Sequence, residues 1–292
     1  MKRRALGNSF PILGVLIAAC ASAQTKPSLT AQQIVERIQK EVGVPWHTPT
    51  VDTFKAGNPN TPVTGVAVTM MATLDVLQRA AAKGENFVIT HEPTFYSHQD
   101  GIDALEKQGD AVLAAKEAFI REHHMVVWRF HDHWHMRKPD GIQLGMTKAL
   151  GWEKFQNAEN PHLFTLSETT LGDLAAFLKQ RLGINVMRVV GDRDMKVTKI
   201  ALIPGAAGTD TQVKALERGD VEVVIIGEVP EWETVEYVDD AHAAGMRKGL
   251  IMLTHIPSEQ AGMEECTTWL KGFVTEVPVE FVAAKQPFWE PE

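Results

Sequence analysis

Short apolar runs alternate with amphipathic segments along most of the 292 residues, and this alternation restricts the fold class more than any other feature of the sequence. Runs rich in branched and aromatic residues are typical of buried strands, whereas apolar residues at helical spacing indicate helices. The predicted strands are residues 65–69, 87–90, 125–130, 197–203, 221–226, 249–254 and 278–282. The predicted helices are residues 29–42, 74–82, 110–124, 232–244 and 262–273. Alternation of this kind predicts an α/β fold with a largely parallel sheet.

The composition is that of an ordinary globular protein, with 44% hydrophobic and 23% charged residues, which excludes a disordered or collagen-like chain. Acidic residues outnumber basic residues by 37 to 29, so the formal net charge is −8. Nucleic-acid binding requires a basic face, and we therefore expect no nucleic-acid partner. The two cysteines, Cys20 and Cys266, provide no disulfide framework, and Cys266 is predicted to be a packed core side chain.

Residues 1–23 have the layout of a secretory signal peptide. Basic residues at positions 2–4 precede an apolar stretch at 10–19, which is too short to span a bilayer as a mature helix. Cleavage after Ala23 would release a soluble exported protein with a net charge of −11, because the segment contains three bases and no acids. Alternatively, Ile17-Ala18-Ala19-Cys20 resembles a lipobox, and lipidation would attach the protein to a membrane through Cys20. Both processing routes predict a periplasmic or secreted location.

Three of the predicted strands end directly at a histidine. Strand 87–90 is followed by His91 and Glu92, strand 125–130 by His131 to His135, and strand 249–254 by His255 and then Glu259. Seven of the 11 histidines lie between positions 91 and 135. Packing alone explains such clustering poorly, because a buried imidazole needs partners for both ring nitrogens. The carboxyl ends of strands are also where α/β proteins bind their ligands.

Imidazoles and carboxylates at these positions suit one or two first-row divalent cations, because they are the usual ligands of such ions. If the segment after strand 125–130 is extended, His131, His133 and His135 share one face. His255 and Glu259 share a face if their turn is helical. Each motif by itself also fits a surface histidine or a histidine-rich loop. The prediction of a metal site therefore depends on the three segments meeting at one place.

Together these motifs resemble those of the NIF-three-like family, whose members are often labelled type 2 GTP cyclohydrolase I. The resemblance extends from about residue 29 to residue 273 and includes Thr90-His91-Glu92-Pro93, Pro139-Asp140-Gly141, residues 204–208, Ile226-Gly227-Glu228 and residues 255–259. It implies a three-layer arrangement of two related α/β halves with a mostly parallel sheet, a dinuclear metal centre between the halves, and a homohexamer. The halves are expected at about residues 24–135 and 196–292, with a central segment at 136–195, all within one domain that covers 24–292.

The resemblance also implies a set of metal ligands, which carried over position by position are His91, Glu92, His131, His135, His255 and Glu259. Two of them depart from the family pattern in a linked way. Glu92 stands where the family usually has a second histidine, and His135 stands where it has an aspartate. The exchange keeps four imidazoles and two carboxylates, so we interpret it as preserving a site for two divalent ions. Zinc, manganese, iron, cobalt and nickel all suit these ligands, and Glu92 or Asp132 is the expected bridging group.

The predicted chemistry is metal-assisted hydrolysis of a small-molecule substrate, with Asp132, His133 and Glu228 as candidates for proton transfer. The substrate of the family is not carried over, because Trp232 stands where the family commonly has a histidine. In addition, the turn at 205–208 lacks the lysine and serine of a phosphate-binding loop.

Two alternatives to this hydrolase belong to different functional classes. The first is a metal-binding or scaffold hexamer without turnover. The second is a metallo-β-lactamase-like hydrolase, because His131-Asp132-His133 matches part of the histidine-rich motif of those enzymes.

Overall fold

The computed structural model describes Met1 and residues 29–291, and it confirms the predicted α/β fold class. The predictions of a signal peptide and of a lipobox fall on residues outside the described ranges. Within those ranges, no helix combines the length and the apolar character needed to cross a membrane.

The described chain contains ten strands and ten α-helices. The strands are β1 (Phe54–Ala56), β2 (Val66–Thr69), β3 (Phe87–Thr90), β4 (Val126–Arg129), β5 (Leu163–Thr170), β6 (Arg188–Val190), β7 (Lys196–Ile203), β8 (Val223–Ile226), β9 (Gly249–Met252) and β10 (Val279–Phe281). The helices are α1 (Ala31–Glu41), α2 (Leu74–Ala82), α3 (Asp103–Gln108), α4 (Ala111–Glu122), α5 (Asp132–Met136), α6 (Gly141–Leu150), α7 (Leu171–Arg181), α8 (Thr209–Glu217), α9 (Glu236–Ala243) and α10 (His255–Leu270).

The strands form two five-stranded sheets, with four parallel strands in the first (β4, β3, β2 and β10) and three in the second. In the first sheet, with the order β1-β4-β3-β2-β10, the strands β2, β3 and β4 are parallel and fully buried. In the second sheet, with the order β5-β7-β8-β9-β6, the strands β7, β8 and β9 are parallel. Antiparallel pairing of strands occurs only at sheet edges within the described residues, where β1, β5 and β6 are added. Continuous apolar runs suit the central strands because both of their faces are covered.

Helices α6 and α10 pack against each other and supply side chains to the cores of both sheets. Two glycines allow this close approach. A Cβ on Gly145 would lie 2.4 Å from the carbonyl oxygen of Ala261, and a Cβ on Gly262 would lie 2.5 Å from the Cα of Ile142. Cys266 of α10 is a buried free thiol, as predicted. The helix pair thus connects the two sheets next to the strand ends where the histidines lie.

Several regions differ from the predicted elements. The strand β1 and the helices α3, α5 and α8 were not predicted. The central segment 136–195 contributes α6, β5, α7 and β6, and its polar sequence does not reveal β5, α7 and β6. The last helix begins at His255 instead of near residue 262, because Pro257 occupies its first turn, where a proline costs no helical hydrogen bond. The segment predicted as a helix over 232–244 is interrupted by non-helical backbone at Glu233 (φ −112°, ψ −114°), and the regular helix α9 follows it.

Candidate metal centre

Side chains from both sheets meet where the parallel strands end. The Nε2 atom of His255, which follows β9, lies 3.4 Å from Oε1 of Glu92, which follows β3. The structure brings together all of the residues predicted as ligands, namely His91, Glu92, His131, His135, His255 and Glu259. Two groups within this set have their ligand atoms within 4.8 Å of one another, and His91 belongs to both.

Three of the imidazoles are held in the same way, by a hydrogen bond from Nδ1 to an oxygen. The acceptors are the carbonyl oxygen of Phe130 for His91 (3.1 Å), Oδ1 of Asp132 for His131 (2.9 Å) and Oδ2 of Asp140 for His135 (2.9 Å). An imidazole that donates through Nδ1 carries a lone pair on Nε2, and such a bond is the usual support of a metal-ligating histidine.

The freed lone pairs converge on one place. Nε2 of His91 lies 3.1 Å from Nε2 of His135, and the ligand atoms of His91, His131 and His135 all lie within 4.8 Å of one another. Lone pairs at this distance repel each other unless a cation or a proton lies between them. The side chains present therefore fit a divalent metal ion.

Two buried carboxylates complete the cluster. Oε2 of Glu259 lies 3.7 Å from Nε2 of His91 and 3.1 Å from Nε2 of His255. Oε1 of Glu92 lies 3.7 Å from Nε2 of His131. Burial by itself raises the pKa of Glu92, but the hydrogen bond with His255 and the positive charge around it outweigh burial and lower the pKa to about 2. The carboxylate of Glu92 is therefore ionised and available to a cation.

The carboxylates around His255 favour a positive charge at this position. Burial by itself lowers its pKa, but hydrogen bonds with Glu228, Glu259 and Glu92 outweigh burial and raise the pKa to about 12. The Nδ1 of His255 lies 3.2 Å from Oε1 of Glu228. An imidazolium thus balances the surrounding carboxylates in the metal-free chain, and metal binding at such a site would release its proton.

The predicted role of His133 is not supported, because the segment after β4 is helical. In α5, His131 and His135 lie four residues apart on one face, and His133 lies on another. The fully buried ring of His133 donates from Nδ1 to Oδ2 of Asp52 (2.7 Å) and accepts at Nε2 from the backbone N–H of His47 (3.1 Å). Both ring nitrogens are thus engaged with protein groups, and the geometry favours a structural role for His133. The metallo-β-lactamase-like alternative depends on His133 as part of the motif His131-Asp132-His133, and the contacts of His133 do not support it.

The geometry also argues against Asp132 as a bridging or proton-transfer group. Its Oδ1 accepts from Nδ1 of His131, on the side of the ring opposite Nε2. Its Oδ2 accepts from Oγ1 of Thr50 (2.8 Å) and from the backbone N–H of Val51 (3.1 Å). Asp132 therefore orients His131. Of the three proton-transfer candidates, Glu228 alone keeps a half-exposed side chain beside the cluster.

Two positioning residues, Asp52 and Arg129, were missed by the sequence analysis, and a third, Asp140, was named there only as part of a motif without a role. Asp52 caps α5 by accepting the backbone N–H groups of His131 to His133. Asp140 caps α6 and also holds His135. The fully buried Arg129 donates to Oε2 of Glu92 and to the carbonyl oxygen of His91. A charged residue at the end of the apolar run Val126–Trp128 is the one signal that singles out Arg129 in the sequence.

Gly205 leaves space for Glu259, and its replacement by alanine tests this fit. Gly205 has φ +70°, and a Cβ there would lie 2.2 Å from Oε1 of Glu259. We expect Gly205→Ala to displace this carboxylate and weaken metal binding by about 10–100-fold, as measured by chelator competition. Gly208→Ala is the matched control, since Gly208 has φ +82° but a Cβ there would meet no atom within 4 Å. Equal metal affinities of the two variants would argue against the fit.

Comparison with known proteins agrees with the motifs. Residues 50–287 match the family model described as Duf34/NIF3 (NGG1p interacting factor 3). The chain belongs to the Duf34/NIF3 family. Two curated relatives of this Duf34/NIF3 chain are both named GTP cyclohydrolase 1 type 2 homolog. The one from Clostridium acetobutylicum is 27% identical over 63% of this chain and 68% of its own length. The one from Clostridium perfringens is 22% identical over 77% of this chain and 84% of its own length.

Solved structures share the same architecture. A hypothetical protein from Staphylococcus aureus aligns with a TM-score of 0.71 at 19% identity, over 90% of this chain and 100% of that chain. A Bacillus cereus protein related to NIF3 aligns with a TM-score of 0.70 at 16% identity, over 91% of this chain and 100% of that chain. At identities this low, the structural agreement shows a shared fold and nothing further.

Proposed function

We propose that this Duf34/NIF3 protein is a metal-dependent hydrolase of a small-molecule substrate, with two divalent ions bound by His91, Glu92, His131, His135, His255 and Glu259. The observation that carries the proposal is that three imidazoles donate through Nδ1 to oxygen and direct Nε2 to one place. Six donor side chains exceed the four positions of a tetrahedral ion, which supports two ions. The number and identity of the metals are part of the proposal.

When bound, two divalent ions would lower the pKa of a water molecule and stabilise negative charge on the substrate. The chain supplies the remaining parts. A cavity of about 480 Å³ opens onto the cluster and is lined by Glu92, Glu228 and His255 among others. The hydrogen bond with His255 lowers the pKa of Glu228, so its carboxylate is ionised and able to accept a proton. We assign proton transfer to Glu228, while Asp132 and Asp140 hold their histidines in place.

Glu228→Gln tests this assignment, because glutamine keeps an oxygen for His255 but does not take a proton. We expect unchanged metal content and a fall in turnover of about 10²–10⁴-fold. Metal per chain would be measured by elemental analysis, and turnover would be screened on phosphoester, amide and lactam substrates. The control is Glu217→Gln, at an exposed glutamate of α8. Undiminished turnover in Glu228→Gln would refute the role, and tight metal without any turnover in the unmodified chain would favour the non-catalytic metal-binding alternative.

Export and oligomerisation complete the proposal. The N-terminal sequence supports a periplasmic or secreted protein, either soluble or anchored through lipid at Cys20, and signal-peptide processing is testable by N-terminal mass analysis. A homohexamer is supported by the family resemblance and by large apolar side chains exposed on the single chain, such as Trp232 at 75% and Trp289 at 78%. Light scattering of the purified protein would give the number of subunits.

A further inference from the structure

A positive charge is buried in the wall of the cavity that opens onto the metal centre. Lys116 of α4 is only 4% exposed, and its Nζ donates to the carbonyl oxygen of Thr94. The Nζ lies 5.7 Å from the ring centroid of Phe95 and 5.4 Å from that of Tyr96. Within residues 29–291, no carboxylate oxygen lies within ion-pair distance of Lys116. The negative charge of Asp100 acts on Lys116 from farther away, but that carboxylate is already paired with Lys55 (3.2 Å) and Arg129 (3.7 Å). The direct contacts of the ammonium are therefore aromatic rings and one backbone acceptor.

Such an ammonium is costly to bury without an anion. Burial accordingly lowers the pKa of Lys116 to about 8. Next to it, Oγ1 of Thr94 is also buried and has no hydrogen-bond partner among the described residues. Lys116 and Thr94 line the same cavity as Glu92 and His255. Two donors with unused hydrogen-bonding capacity therefore lie within one cavity whose other end is the metal centre.

We infer that Lys116 and Thr94 bind a carboxylate group of the substrate, whose other end reaches the metal centre. The chemical class of the ligand follows from the charge of Lys116 and from the side chains that line the cavity. One ammonium balances one negative charge, whereas a phosphate dianion would leave its second charge without a cation at the Lys116 end of the cavity. Other parts of the wall are formed by Met71, Leu74 and Pro93, which suit an apolar body. The volume of about 480 Å³ is within the range of small-molecule sites.

The inference extends the proposed function by assigning a substrate class to its cavity, and it is tested by binding alone. The probes are phenylbutyrate, its uncharged counterpart phenylbutyramide, and phenyl phosphate, each titrated calorimetrically into metal-loaded and chelator-stripped protein. We expect the unmodified chain to bind phenylbutyrate at least tenfold more tightly than the amide and the phosphate. Lys116→Met should remove this preference, and Thr94→Val should reduce it several-fold, because each removes a donor to the carboxylate.

Lys107→Met, which removes an exposed lysine of α3 outside the cavity, is the matched control and should bind like the unmodified chain. Thermal unfolding and the metal content of every variant show whether the fold and the metal centre are intact. If Lys116→Met does not fold, Thr94→Val provides the test of the carboxylate preference. Equal affinities for acid and amide, tighter binding of the phosphate, or an undiminished preference in Lys116→Met would each overturn the inference. A chain without bound metal would contradict the proposed function only, because the comparison of acid with amide in stripped protein still reports on Lys116.

Discussion

Replacing His91 by alanine should abolish stoichiometric metal binding. His91 belongs to both groups of ligand atoms, and its Nε2 lies 3.1 Å from that of His135 and 3.7 Å from Oε2 of Glu259. Loss of a residue that only hydrogen-bonds to a metal ligand already costs about 10–100-fold in affinity, so loss of a ligand itself should cost at least about 100-fold. The measurement is metal per chain after dialysis, together with competition against a chelator of known affinity.

His162→Ala provides the matched control for this prediction. Its Nδ1 also donates to a backbone carbonyl oxygen, that of Leu202 (3.1 Å), but it lies in the second sheet beside β5, outside the cluster. The control should keep its full metal content. His255→Ala should resemble His91→Ala, because Nε2 of His255 contacts both Glu92 and Glu259. Full metal occupancy in both of these variants would disprove the assigned centre.

Arg129→Met should cause the largest loss of stability. Arg129 is fully buried and donates to Oε2 of Glu92, to the carbonyl oxygen of His91 and to the carbonyl oxygen of His98. Methionine fills similar space but leaves these acceptors, including an ionised carboxylate, without their donor. Breaking a buried ion pair by removing one partner costs about 3–5 kcal/mol. The free energy of unfolding, measured by urea denaturation of chelator-treated protein, should fall by about this amount.

Arg37→Met is the matched control because Arg37 has the same number of acceptors in a more exposed setting. It donates to both carboxylate oxygens of Glu276 and to the carbonyl oxygen of Phe273. Solvent screens such a pair, and we expect a loss of no more than about 1 kcal/mol. If the two variants lost equal stability, the buried network around Glu92 would not have the role assigned to it.

Much of the fold was accessible from local sequence. The apolar runs of β3 and β4 have no polar face, which is the pattern of parallel strands covered on both sides. The strand β3 ends where predicted, and β4 ends one residue before its predicted end. By contrast, β5 and β6 lie at sheet edges with partly exposed side chains, so their sequences lack the apolar contrast that marks a buried strand. The hydrophobic pattern alone therefore did not predict the strands β5 and β6 of the central segment.

The conformation of α5 illustrates what local sequence left open. Asp52 lies about eighty residues before α5 in the sequence, yet it accepts the backbone N–H groups at the first residues of that helix. This long-range cap makes the segment helical and turns His131 and His135 to one side and His133 to the other. Histidines at alternate positions appeared equivalent in the sequence, and their partners in the fold made them different.

The sequence by itself determined which side chains stand at the strand ends, because buried strands and the histidines that follow them are local features. It also indicated the family and the chemical character of the cluster. Only the tertiary structure decided which nitrogen of each imidazole faces the cluster, that Asp132 lies behind His131, and that Lys116 is buried beside the same cavity. These properties depend on hydrogen bonds and packing between segments that are far apart in the chain, and local sequence patterns do not predict such contacts.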